Sequence, residues 1–193
     1  MRFKALFVAL LMILAASEAR AQDYDIETIE DHARVKTFKY QSYDQCYLDA
    51  QDQVNSERLS RKKAAALLSQ VPKGGALLVD LLGAEWRMAN GTNWTFLVTD
   101  QSGNVLFRSK GHNFYEPPPA YETKKTVVHT RHGVLIKHEE AAVAPAQTAF
   151  GDRVYVVSDK IEITVALPDT FKVVVIDNFN DNRCLYLLTK TKY

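Results

Sequence analysis

The chain has 193 residues, 47% of them hydrophobic, with 24 basic and 23 acidic side chains. That length supports one domain with a substantial core. The near-neutral balance speaks against a dedicated nucleic-acid binder, which carries a marked basic excess.

Residues 1–21 have the three parts of a secretory leader: Arg2 and Lys4, an apolar run over 6–16, and a small-x-small site, Ala19-Arg20-Ala21, before Gln22. The run is shorter than the roughly 20 residues a spanning helix needs, and no cysteine stands at the cleavage point for a lipid anchor. Removing the leader leaves 172 residues with 21 basic and 22 acidic side chains. A periplasmic or secreted location follows as an expectation. In such an oxidising compartment Cys46 and Cys184 are expected to form a disulfide, with two separately buried thiols as the alternative.

Residues 22–33 carry Asp23, Asp25, Glu27, Glu30 and Asp31 and read as an acidic flexible tail. A first strand is expected at 35–40. Ser42 and Gln45 fit a capping box, and Tyr43, Cys46, Tyr47, Ala50 and Val54 then share one face of a helix ending near Asn55. A second helix over 59–70 turns Ala64, Leu67, Leu68 and Val71 inward. Its Arg58, Arg61 and Lys62 read as a solvated face. Pro72-Lys73-Gly74-Gly75 breaks it, and the leucines of 76–82 predict a short third helix stopping at Gly83. Residues 34–85 thus read as a helical cap.

From residue 86 onward the pattern changes to a period of two. Four hairpins are predicted: 93–99 with 105–109, 126–130 with 134–138, 153–158 with 161–167 around Asp159-Lys160, and 171–177 with 183–189 around the Asx-rich turn 178–182. The expected fold is α+β and mostly β: an antiparallel β-sandwich, immunoglobulin-like or related, with an N-terminal two- to three-helix cap. Residues 34–193 form its single domain. The runs are shorter than the 9–11 residues of membrane-barrel strands.

Chemistry is harder to read. Phe114-Tyr115-Glu116-Pro117-Pro118-Pro119-Ala120-Tyr121 is an extended connection flanked by aromatics. Phe114, Tyr115 and Tyr121 are the candidate partner-binding residues, since an aromatic ring with a polar tip suits a binding surface. Trp86 and Trp94 are further aromatics, Trp94 reading as core. His129, His132 and His138 are candidate metal ligands, without a Cys or carboxylate at a recognised spacing. Asp177, Asn180 and Asp181 supply oxygens of the kind calcium takes, although turns select the same residues for backbone reasons. No Gly-x-Ser-x-Gly or His-Glu-x-x-His motif occurs, and no cofactor is implied. The reading is an exported, non-enzymatic protein that binds a protein partner or a cell-envelope component, with no nucleic acid and no membrane span after leader cleavage. The alternatives are a hydrolase of envelope polymers working through paired carboxylates and a weak metal-binding module.

Overall fold

The structure is a computed structural model that describes residues 23–116, 121–130, 133–142 and 154–191; for the arms between 121 and 142 the backbone pairing is what is described. Ten strands are present among these residues: β1 (Tyr24–Asp31), β2 (Val35–Gln41), β3 (Ala76–Gly83), β4 (Trp94–Thr99), β5 (Val105–Lys110), β6 (Tyr121–Thr130), β7 (Gly133–Ala142), β8 (Tyr155–Glu162), β9 (Thr170–Asp177) and β10 (Asn182–Lys190). They build a five-stranded antiparallel sheet in the order β1-β10-β9-β4-β5, a three-stranded sheet β2-β3-β8, and a two-stranded ribbon β6-β7. Three α-helices accompany them: α1 (Tyr43–Ser56), α2 (Arg61–Ser69) and the single turn α3 (Trp86–Ala89). The result is the expected mostly-β, sandwich-like α+β fold.

Alternation builds the core. In the larger sheet the register sets Phe96 beside Val175 and Val175 beside Cys184, then Val98 beside Val173 and Val173 beside Tyr186. These rows are buried together with Leu77, Val79, Leu81 and Ile161 of the smaller sheet. Burying each such side chain contributes about 1.5–3 kcal/mol. Aromatic contacts join the layers. Phe38 of β2 stacks on Tyr186 of β10 at 3.8 Å between centroids, and Phe171 of β9 meets Tyr40 of β2 edge-on at 5.3 Å.

The capping box forms as its residues predict, with Gln45 N donating to Ser42 Oγ and Ser42 N donating to Gln45 Oε1. The first and second helices, α1 and α2, are inserted between the neighbouring strands β2 and β3. The third predicted helix is a strand instead. Residues 76–82 belong to β3, the centre of its sheet, with Leu77, Val79 and Leu81 at 0%, 3% and 0% exposure while Leu78, Asp80 and Leu82 stay half-exposed. Paired leucines fit either period; what decides is the entry. Gly75 takes a φ of 76°, and a Cβ there would fall 2.1 Å from the Gln41 carbonyl oxygen, so the chain turns tightly into β3 alongside β2.

Two further expectations change. The acidic segment is not a tail. Residues 24–31 form β1 and pair along β10, their charges falling where an edge strand meets water. Asp159-Lys160 is not a turn either. Strand β8 runs through it, with Val157, Asp159 and Ile161 buried in alternation, and the third predicted hairpin is one strand.

The expected disulfide is absent. Cys46 and Cys184 are both buried free thiols. Cys184 Sγ lies 3.4 Å from the Ala33 carbonyl, just before β2, whereas Cys46 Sγ lies 3.8 Å from the Gln41 carbonyl, at its far end. A strand of that length spans on the order of 20 Å, against the roughly 5.5–6 Å between α-carbons that a bridge requires. Burial pushes both thiols up from their ordinary 9.0 and does the same to the phenols of Tyr40 and Tyr186. The folded state therefore favours their neutral forms. Their stabilisation is complete below the unfolded pKa values and is lost as pH rises past them. The melting temperature should fall steadily above about pH 9, and both thiols should react with a disulfide reagent only on unfolding. A flat melting temperature to pH 11, or fewer than the two thiols, would contradict this.

Candidate binding surface

The chain leaves β5 under tight control. His112 N donates to Asp159 Oδ2 at 2.8 Å, and His112 Nδ1 lies 2.7 Å from Asp159 Oδ1. The Asp159 side chain is 1% exposed and that of His112 65%. Asp159 occupies a core-facing position of β8, opposite Val79, so a carboxylate stands in an otherwise apolar row. Such a group must be hydrogen-bonded. Two glycines make room for it: a Cβ on Gly91 or Gly111 would fall 2.6 or 2.7 Å from Asp159 Oδ2.

A second buried polar side chain holds the next turn. Asn90, between α3 and the 3-10 helix Gly91–Asn93, donates from Nδ2 to the Phe114 carbonyl at 2.8 Å and to Asn113 Oδ1 at 3.1 Å. Its Oδ1 accepts from Thr92 N at 3.3 Å, which caps the 3-10 turn. Two side chains from distant parts of the chain thus fix the backbone of 112–114. Beyond this clasp, Phe114 is half-buried and Tyr115 is 92% exposed.

Beside the clasp lies a recess of about 410 Å³ lined by Ala84, Glu85, Trp86, Arg87, Glu116 and Tyr155. Trp86 and Tyr155 meet edge to face, 5.9 Å apart with their planes at 78°, and make an aromatic corner. Arg87 is tied to Glu85 at 2.6 Å, and its guanidinium lies 5.2 Å from the centre of the Phe179 ring.

Of the predicted binding residues, Phe114 and Tyr115 sit at the clasp, and Tyr121 opens β6, its backbone opposite Ala142. His129 lies opposite Val134 and His138 opposite Lys125, four register positions apart; His132 lies outside the described residues. Asp177 is 1% exposed, and its carboxylate is engaged by its own turn. Oδ1 accepts from Phe179 N at 2.9 Å and Asn180 N at 3.3 Å, and Oδ2 accepts from Asn180 Nδ2 at 2.7 Å. Asp181 takes a left-handed φ of 54°. These bonds are what an Asx turn asks of its first residue. Among the described residues no three His, Cys, Asp or Glu side chains come close enough to hold a metal ion.

Among the described residues the carboxyls with displaced titration move down: Glu30 through its hydrogen bond from Arg183, Asp80 through Ser158, Asp100 through Asn104. A general acid at neutral pH needs the opposite shift.

Asn90, His112, Asp159 and Tyr155 escape sequence reasoning. One signal was present: Asp159 interrupts the alternation of Val157 and Ile161 at an inward position, which marks a buried carboxylate seeking a partner.

These features define a mostly-β, sandwich-like protein with an aromatic surface clasped at its base. No family model matches the chain, and no match is found among curated proteins or solved structures. No helix among the described residues is long and apolar enough to cross a membrane.

Proposed function

We propose that this is an exported, non-enzymatic protein that binds a protein partner or a cell-envelope component through the 114–121 segment. The observation that carries the reading is Tyr115, 92% exposed on a backbone held by the buried side chains of Asn90 and Asp159. A large aromatic ring left in water is ready contact area. An ordered base lowers the conformational entropy lost on binding, which is how a preorganised loop gains affinity. The leader-like residues 1–21 support export.

Truncating both tyrosines, as Tyr115→Ser with Tyr121→Ser, should abolish capture of the partner from native envelope extract while the melting temperature holds. Undiminished capture by the folded double variant would overturn the assignment. The hydrolase alternative draws less support, since Asp80 and Glu30 are displaced toward the charged form.

A further inference from the structure

The recess beside the clasp has a chemistry of its own. Its walls are the Trp86–Tyr155 corner, and its charged groups are Glu85, Arg87 and Glu116. Arg87 is balanced by Glu85 and turned toward Phe179, so the pair adds no net charge. Among the described residues of the lining, Glu116 remains as the uncompensated charge. Two rings at a steep angle with a carboxylate at the rim form a partial cage, and an organic cation is the ligand such a cage favours. The ring faces attract it through their quadrupoles and the carboxylate through its charge. A sugar platform needs one broad flat face, whereas here Trp86 is half-buried and Tyr155 stands against it at 78°, which makes a corner.

We infer that this recess receives the ammonium group of a lysine side chain presented by an extended polypeptide partner. This rests on the reading of the neighbouring 114–121 segment as a binding surface and names the partner's chemistry. The extended form follows from the strand that supplies Tyr155. Strand β8 pairs with β3 along one side, and among the described residues no strand lies on its other side. A peptide laid along that flank can make backbone hydrogen bonds while one basic side chain enters the corner, the usual division between affinity and specificity in strand addition.

The test uses the intact protein and the peptide Ac-Gly-Lys-Gly-amide, with its norleucine counterpart as a neutral isostere. The readout is the indole N–H resonance of Trp86, assigned by its loss in Trp86→Phe. Trp94, fully buried and donating to the Met88 carbonyl, serves as the internal reference. The lysine peptide should shift Trp86 saturably and leave Trp94 in place. The norleucine peptide should bind at least about tenfold more weakly, and Glu116→Gln should weaken the lysine peptide several-fold and reduce its salt dependence. Equal binding of both peptides, no effect of Glu116→Gln, or a larger Trp86 shift with N-acetylglucosamine than with the lysine peptide would overturn the inference.

The two readings fail separately. If the lysine peptide does not bind while capture still needs Tyr115 and Tyr121, the recess assignment falls and the surface stands. If it binds as described while capture ignores both tyrosines, the surface falls and the recess stands.

Discussion

Phe171→Ala is expected to destabilise the protein by about 3–5 kcal/mol, the range for deleting a buried phenyl ring. Phe171 is fully buried and holds together strands of both layers. It meets Tyr24 of β1 at 5.6 Å and Tyr40 of β2 at 5.3 Å, and those two rings meet each other at 5.0 Å and 88°. Removing it leaves a cavity bounded by two tyrosines that have each lost an edge-to-face partner. Against a typical total of 5–15 kcal/mol, a loss of this size brings the protein close to unfolding. Phe179→Ala is the control. That ring is 43% exposed and touches Arg87, so its loss should cost less than about 1 kcal/mol. Urea midpoints at constant m-value separate the two. Equal effects would mean that the layers do not meet at Phe171.

Asp159→Ala should cost about 2–3 kcal/mol and free the segment that carries Tyr115. The carboxylate accepts from the His112 backbone and faces its ring, and hydrogen bonds to a charged group are worth about 1.5–3 kcal/mol each. The total is held down because His112 is exposed, so water can reach the donors left behind. Gly91→Ala attacks the same clasp from the other side. Its Cβ would lie 2.5 Å from the His112 carbonyl oxygen and 2.6 Å from Asp159 Oδ2, so backbone must move, at about 1–3 kcal/mol. In both variants the amides of 112–116 should exchange faster while those of β9 keep their protection, and capture of the partner should weaken although Tyr115 is intact. Unchanged exchange at 112–116 in Asp159→Ala would show that the clasp does not order the segment.

What the sequence disclosed was mostly local. The hairpins β4–β5 and β9–β10 and the capping box at Ser42 depend on residues within a turn or two of each other, and alternation or capping chemistry marks them directly. Strand β3 reads as a helix in the sequence because Leu77-Leu78 and Leu81-Leu82 satisfy a helical face as well as a strand, and only its position between β2 and β8 selects the strand. Strand β1 hid behind its charge: an edge strand shows water Asp and Glu, as a solvated tail does. The clasp was illegible for another reason. Asp159 and His112 are 47 residues apart, and Asn90 and Phe114 are 24 apart. Asp159 alone carries a mark, a carboxylate between Val157 and Ile161; the others look ordinary until the fold brings them together. The exposed Tyr115 was legible, since aromatics flanking a proline run announce themselves, but the recess needed Trp86, Glu116 and Tyr155 from three separate segments.

The central claim is that the clasped segment is where the partner touches this protein. The most direct measurement places a photoreactive phenylalanine analogue at position 115 and, as a control, at position 105, where Val105 is 59% exposed at the opposite end of β5. Irradiation in native envelope extract should give a discrete crosslinked product from position 115 and none from position 105. Crosslinking from 105 in place of 115, or none from 115 while the protein still co-purifies with its partner, would contradict the account.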